Sequence, residues 1–272
     1  MLADTGYRNY FEPFLGGGAV YFGGGFERAR LSDVNGDLVV TYNAVQGDVD
    51  RVLRHLGALP APSRTAFVAV AASQPRSEAG RAARFLYLNR LAFNGVWRVN
   101  ATGAFNVPYG GRPPADLIRA AQLRACAQLL QRCSIQCVDF REALAGAGKS
   151  DLVYCDPPYT VSHNNNGFIR YNEKLFRWVD QQALASRARE LLRLGAHVVI
   201  SNAAHHDVVA LYPRAEFHAF RIVKTSRVAS GVQFRQPQAE MLFVGRNVFD
   251  DRRAVIRAMR LALAATSSVV LT

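Results

Sequence analysis

The chain has 272 residues, half of them hydrophobic (50%), and a formal net charge of +12 with a pI of about 10.1. These values exclude a disordered chain and leave room for one large α/β core, alone or with an insertion. Arginine far outnumbers lysine, which favours a polyanionic partner because a guanidinium suits phosphate and base-edge contacts.

The N-terminal MLADTGYRNY lacks the basic and apolar regions of a signal peptide, and the apolar tail after Arg260 is too short to span a bilayer. The expected location is cytoplasmic, with no membrane partner. RNYFEPF (8–14) reads as a short strand, the glycines at 16–18 as a turn, AVYFGGGFERA as a glycine-interrupted helix and RLSDV (30–34) as a second strand. Helical patterns cover 36–56 and 64–92. The stretch GVWRVNATGAFNVPYG (95–110) breaks the period, with two β-rich arms around NATG, and reads as a hairpin or extended loop.

Strand patterns return at SIQCVDF (134–140), DLVYCD (151–156), AHVVISN (196–202), EFHAFRIV (216–223) and EMLFVG (240–245), separated by helical runs such as 180–194. The alternation predicts a doubly wound α/β sheet with a mainly helical insertion over 48–130. HNNNG (163–167) is a polar loop, and RAVIRAMRLALAA near the C-terminus reads as an amphipathic helix. Cys126, Cys133, Cys137 and Cys155 show no CxxC spacing, so reduced thiols are expected and no metal site. His205 and His206 read as surface or capping residues.

Ligands of open α/β sheets bind beyond the carboxyl ends of the strands. Two stretches sit there. In EPFLGGGAVYF (12–22), Tyr21 takes the place of the third glycine of G-x-G-x-x-G, so a dinucleotide fingerprint is not met, although the turn still lets a ligand approach the backbone. Asp33, at the end of the second strand, is placed to accept from ribose hydroxyls or to cap the following helix. ALAGAGKS (143–150) fits a relaxed phosphate-loop pattern but follows a helix and precedes a strand, the reverse of a working one. The second stretch is DPPY (156–159). Asp156 is an acceptor at a strand end, the Pro157 carbonyl is a second, the prolines stiffen the turn and Tyr159 adds a flat ring. Two acceptors and a ring suit a planar group with an exocyclic amine.

EPFLGGGAVYF, SDVNGDLVVTYNAV, RFLYLNRLAFNGVWRVNATGAFNVPYG, VDF and YCDPPY occur in the order found in the Dam-type (alpha-group, D12-class) DNA adenine-N6 methyltransferases, which the chain resembles over roughly 8–245. The resemblance implies a Rossmann-like methyltransferase sheet in 1–47 and 131–247, an inserted target-recognition subdomain with a β-hairpin in 48–130, and a helical extension in 248–272. It implies S-adenosylmethionine as donor, bound by Glu12, Pro13, Phe14, Gly16, Gly17, Gly18, Asp33, Asp139, Phe140 and Asp156. Catalysis falls to Asp156, Pro157, Pro158 and Tyr159, acting on an adenine flipped out of duplex DNA.

For DNA the resemblance implies Phe93 as a wedge between base pairs, Asn94 beside it, Arg98 as a guanine reader, Val96 and Pro108 against thymine methyls, and Arg90 and Asn106 as further contacts, with GATC as the expected site. Residues 76–119 carry seven arginines against Glu78 and Asp116, an excess that suits phosphates. A prokaryotic or phage-encoded monomer is expected, with a cognate restriction endonuclease as a possible partner. Family members also carry a Trp-Ala-Gly-Gly-Lys-like segment before the first strand, which has no counterpart in this sequence. Two alternatives follow: a DNA-binding relative impaired in turnover, or methylation of another exocyclic amine such as cytosine N4 or an RNA base.

Overall fold

The computed structural model describes residues 6–100, 102–111, 119–159, 176–225, 237–248 and 269–271. HNNNG and the helix expected at 253–265 lie outside them. The chain divides into two compact units, 1–32 with 138–272, and 33–137.

Elements run in the order β1 (Tyr10–Glu12), α1 (Ala19–Gly24), β2 (Ala29–Ser32), α2 (Gly36–Gly57), α3 (Arg64–Ala72), α4 (Glu78–Leu91), α5 (Ala120–Leu130), β3 (Cys133–Gln136), α6 (Phe140–Ala143), β4 (Leu152–Cys155), α7 (Trp178–Arg193), β5 (His197–Ala203), α8 (His206–Ala210), β6 (Phe217–Thr225), β7 (Pro237–Gly245) and β8 (Val269–Leu271). A 3-10 turn at Phe93–Gly95 follows α4.

The strands of the first unit lie in the order β2-β1-β4-β5-β7-β6-β8. β2, β1, β4 and β5 are parallel, with Tyr10 opposite both Ala29 and Leu152, and Cys155 opposite Ile200. β7 runs antiparallel to both β5 and β6, a direction that the strand and helix pattern of the sequence leaves open. Alternation along each strand cannot distinguish the two directions, because both put side chains on opposite faces with period two.

β4 is buried throughout (Leu152, Val153, Tyr154, Cys155), as expected for a central parallel strand covered on both faces. One face carries Phe11, Val153, Cys155, Val198, Ile200 and Phe243 against Leu184, Ala185, Ala188 and Leu191 of α7. At the opposite end of the site strand, the buried Asp151 carboxylate accepts from Arg8 Nε (3.0 Å) and Nη2 (2.7 Å), the Asn9 backbone (3.2 Å) and Nδ2 (2.9 Å), and Gly148 N–H (2.9 Å). These bonds lock the start of β4 to the residues leading into β1.

In the second unit α2 packs on α4 and α5, and α3 on α4. Asn35, Ser63 and Ser77 cap α2, α3 and α4 by accepting main-chain N–H bonds. The helical pattern at 64–92 is two helices, broken where Ser73 turns extended just before Gln74-Pro75. α2 crosses residue 48, with a non-helical turn at Asp48. After α4 the chain forms an irregular antiparallel pair bridged at Ala92–Tyr109 and Val99–Phe105. Trp97 packs 4.1 Å from Phe85 and 4.8 Å from Phe105 by ring centroids, seating the pair on the helices. No helix among the described residues is long and apolar enough to cross a membrane.

Candidate active site

β1 and β4 are hydrogen-bonded neighbours, so the chain leaving β1 through Glu12-Pro13-Phe14 and the chain leaving β4 through Asp156-Pro157-Pro158-Tyr159 emerge at the same sheet end. Beyond β1 the turn closes with Gly18 N–H donating to Leu15 O (2.7 Å). Gly16 (φ +47) and Gly18 (φ +64) adopt the left-handed region that glycine tolerates. A Cβ built at Gly16 or Gly17 would meet nothing within 4 Å, so this stretch of backbone faces open space.

Glu12 is 2% exposed. Burial pushes its pKa up to about 7, and the negative charge of Asp156 adds to the rise; the Tyr10 hydroxyl, donating to Oε2 at 2.7 Å, and the Tyr21 backbone oppose it. Glu12 and Asp156 are therefore electrostatic neighbours, one buried and one exposed. Pro157 is buried, and Pro158 and Tyr159 are half-buried. The Tyr159 hydroxyl is held by Ser201 and Glu240, and burial raises its pKa above the ordinary value, followed by the charges of Asp156 and Glu240. A phenol anchored this way presents its ring at a fixed angle.

Two buried side-chain amides stand behind the turn. Gln181, in the first turn of α7, donates through Nε2 to the Pro158 carbonyl (3.3 Å), and Asn202 of β5 donates through Nδ2 to Gln181 Oε1 (2.9 Å). The sequence reading missed both, along with Ser201 and Glu240. A signal existed in ISN, where two polar residues close an otherwise apolar buried strand; Gln181 shows none, because a glutamine in a helix is ordinary.

Asp139 and Phe140 do not end a strand. β3 stops at Gln136, and Asp139 caps α6 by accepting from Arg141 N–H (3.0 Å), with its carboxylate also paired to the Arg141 guanidinium (3.1 Å). Phe140 is 2% exposed, in contact with Phe14 (5.5 Å), Phe176 (5.7 Å) and the Arg141 guanidinium (4.4 Å). Phe14, half-buried, is the more open ring of this group. Asp33 follows the last residue of β2 and accepts from Asn35 N–H at 2.9 Å, while Asn35 does the helix capping.

In the second unit Phe93 is 56% exposed at the tip of the 3-10 turn, beside Asn94 (φ +56). Arg98 donates through Nε to Asn106 Oδ1 (2.8 Å) and through Nη2 to Asn106 O (3.2 Å). Pro108 is exposed and its carbonyl accepts from Phe93 N–H (2.9 Å); Val96 is half-buried against the helical cluster, and Arg90 closes α4. His205 caps α8, accepting from Asp207 N–H (3.3 Å), and with His206 and Asp207 forms a group of side chains able to hold a metal ion.

A mixed α/β sheet with a glycine turn after β1 and an acidic proline turn after the adjoining β4 is consistent with a methyltransferase fold. The model of the D12-class N6 adenine-specific DNA methyltransferases matches residues 1–228, and the chain belongs to that family. It is 33% identical over 215 residues to the DNA N-6-adenine-methyltransferase of Escherichia phage P1, covering 77% of this chain and 28% of that longer protein. It is 32% identical over 227 residues to the type II methyltransferase M.MjaIII of Methanocaldococcus jannaschii, covering 76% of this chain and 77% of that one. With the DNA adenine methylase of Escherichia coli strain K12 it shares 34% identity over 221 residues, 78% of this chain and 77% of that one.

Proposed function

We propose that this protein methylates N6 of adenine within duplex DNA, at GATC, with S-adenosylmethionine as donor. The observation that carries the reading is the Asp156–Tyr159 turn leaving β4 next to the glycine turn leaving β1. Glu12, Pro13, Phe14 and the Gly16–Gly18 backbone are the residues that would hold the donor, with Asp33 toward its ribose and Asp139 and Phe140 toward its adenine. The open space over Gly16 and Gly17 and the acidic character of Glu12 and Asp156 fit a bulky cationic group. The donor, when bound, supplies an electrophilic methyl on a sulfonium.

The exocyclic amine of adenine is a poor nucleophile because its lone pair is delocalised into the ring. Asp156 and the Pro157 carbonyl accept from its two N–H bonds, which favours a pyramidal nitrogen with a localised lone pair. Tyr159 stacks on the extruded base, its plane set by Ser201 and Glu240. The amine proton leaves only after methylation has made the nitrogen acidic, so Asp156 acts as an acceptor and positioning and electrostatics carry the acceleration.

The unit 33–137 supplies DNA recognition in this reading. The exposed Phe93 serves as the wedge with Asn94 beside it, Arg98 steadied by Asn106 reads guanine, Val96 and Pro108 meet thymine methyls, and Arg90 contributes to backbone contact. Two of the relatives carry names specifying adenine, which favours adenine over cytosine or RNA bases. Labelled-methyl transfer to duplexes with and without GATC tests the reading. N6-methyladenine formed only with GATC, and abolished in Asp156→Ala with DNA affinity kept, is the expected result; equal loss of transfer and DNA affinity refutes the role given to Asp156.

A further inference from the structure

We infer that Gln181 and Asn202 are positioning residues that aim the Asp156–Tyr159 turn at the target amine, an inference that rests on the proposed methyl transfer. Both side chains are fully buried, at 0% exposure. The relay runs from one backbone group to another: Ala203 N–H donates to Asn202 Oδ1 (2.8 Å), Asn202 Nδ2 donates to Gln181 Oε1 (2.9 Å), and Gln181 Nε2 donates to Pro158 O (3.3 Å).

An amide side chain has a donor end and an acceptor end that are alike in shape, so its orientation follows from its partners. Here both ends of the relay fix it. A main-chain N–H can only donate, which turns Asn202 Oδ1 toward Ala203 and its NH2 toward Gln181. A main-chain carbonyl can only accept, which turns the Gln181 NH2 toward Pro158. The two requirements agree, and reversing either amide would set two like ends against each other.

The anchors are rigid. Asn202 lies in β5, paired to Met241 of β7, and α7 is clamped at its start by Asp180, which accepts from Arg177 N–H (2.8 Å) and from Arg141 Nη2 (2.6 Å). Proline lacks the N–H by which other residues tie a turn to its neighbours. The Pro158 carbonyl therefore provides a handle that two consecutive prolines otherwise deny. Holding it against α7 removes that carbonyl from the acceptors offered to the substrate and sets the tilt of the peptides on either side, including those bearing the Pro157 carbonyl and the Tyr159 ring. A turn released from this hold still binds but misaligns its acceptors, and a displacement near 1 Å at a reacting centre costs about 100-fold in rate.

The test is single-turnover transfer of labelled methyl to a GATC duplex at saturating DNA and donor, from pH 5.5 to 8.5, for the native protein, Gln181→Met, Gln181→Glu and Asp156→Ala. Dissociation constants for donor and DNA and melting temperatures accompany each. Gln181→Met, which keeps length but cannot donate, is expected to slow transfer about 10- to 100-fold at every pH with both dissociation constants within about 3-fold of native. Gln181→Glu should be as slow at pH 8 and recover relative to native as pH falls, because a protonated carboxyl again donates to Pro158 while accepting from Asn202. Gln181→Met transferring at the native rate, or losing donor or DNA affinity as much as rate, overturns the inference. A folded Gln181→Glu that stays as slow as Gln181→Met even at pH 5.5 overturns it as well. A native protein that transfers no methyl overturns the underlying reading instead, so the two failures are distinct.

Discussion

Glu12 makes a sharp demand on the pH dependence of stability. Its carboxyl ordinarily titrates near 4.5 and is pushed up to about 7 in the fold, chiefly by burial. The folded protein thus holds a proton that the unfolded chain releases above pH 4.5. Glu12 contributes fully to stability below that value, and the contribution is lost as pH rises through 7. A shift of this size corresponds to about 3 kcal/mol between pH 4 and pH 8. Glu12→Gln removes the titration while keeping an acceptor for the Tyr10 hydroxyl. Urea unfolding of both proteins at pH 4.5, 6, 7 and 8 should show Glu12→Gln gaining on the native protein by about 2–3 kcal/mol across that range. Curves that stay parallel, or that diverge only below pH 4, refute the reasoning, since they mean that the folded protein keeps Glu12 ionised. The same group should bind a cationic donor better when ionised, so donor affinity is expected to rise with pH through 7 in the native protein and to stay flat in Glu12→Gln.

Three further predictions concern other parts of the chain. Asp151→Ala removes a fully buried acceptor from the Asn9 and Gly148 donors, while the exposed Arg8 guanidinium turns to water, and is expected to destabilise by about 1–3 kcal/mol, read by urea midpoint. Burial alone would raise the pKa of Asp151, but the bonds from Arg8, Asn9 and Gly148 together hold it below the ordinary carboxylate value. Its contribution is therefore present above about pH 4 and lost as pH falls through the lower, folded value, and a melting-temperature gap between native and Asp151→Ala that does not narrow as pH falls below 4 contradicts this. Arg98→Ala should relax discrimination at the guanine of the site by about 1–3 kcal/mol in competition binding while leaving affinity for unrelated duplexes nearly unchanged. A Cβ at Gly110 would come within 2.9 Å of Ala92 O and 3.1 Å of Phe93 Cα, so Gly110→Ala must move the strand beside the exposed Phe93. Weaker duplex binding with donor affinity intact is expected, and unchanged duplex binding argues against Phe93 as the wedge.

The parts of this fold legible in the sequence are those with local causes. β4 announces itself because four consecutive residues are buried on both faces, and the turn after it because two prolines and a carboxylate have few other uses there. The helical stretches at 36–56 and 64–92 follow from local periodicity, but the break that makes the second of them two helices, capped at Ser63 and Ser77, is not read from it. The direction of β7 is different: it depends on which strand it meets, and period-two alternation carries no such information. The same holds for Asp139, where a strand-like VDF becomes a helix cap because Arg141 two residues on supplies both a main-chain and a side-chain donor. The site divides likewise. Asp156 and the glycine turn could be read one stretch at a time, whereas Gln181 matters only through Pro158, 23 residues away, and Asn202, 21 residues away.

The acidic groups at the carboxyl ends of β1 and β4 set the sign of the local field at the proposed reaction centre. Glu12, Asp156 and Glu240, which reaches Tyr159 from β7 beyond β5, place carboxylates around the proposed reaction centre. Such a cluster favours a cationic sulfonium and repels phosphodiesters, so the charge that attracts DNA cannot sit beside it without forming ion pairs that neutralise both. Asp139 shows that outcome in miniature, paired with Arg141. The seven arginines of 76–119 are distant in sequence from these carboxylates, so the proposed function assigns the two electrostatic tasks to different stretches of the chain. In the proposed reading, one set of residues draws in the polyanion, and the other would hold a neutral amine between fixed acceptors while keeping the field around the methyl donor negative.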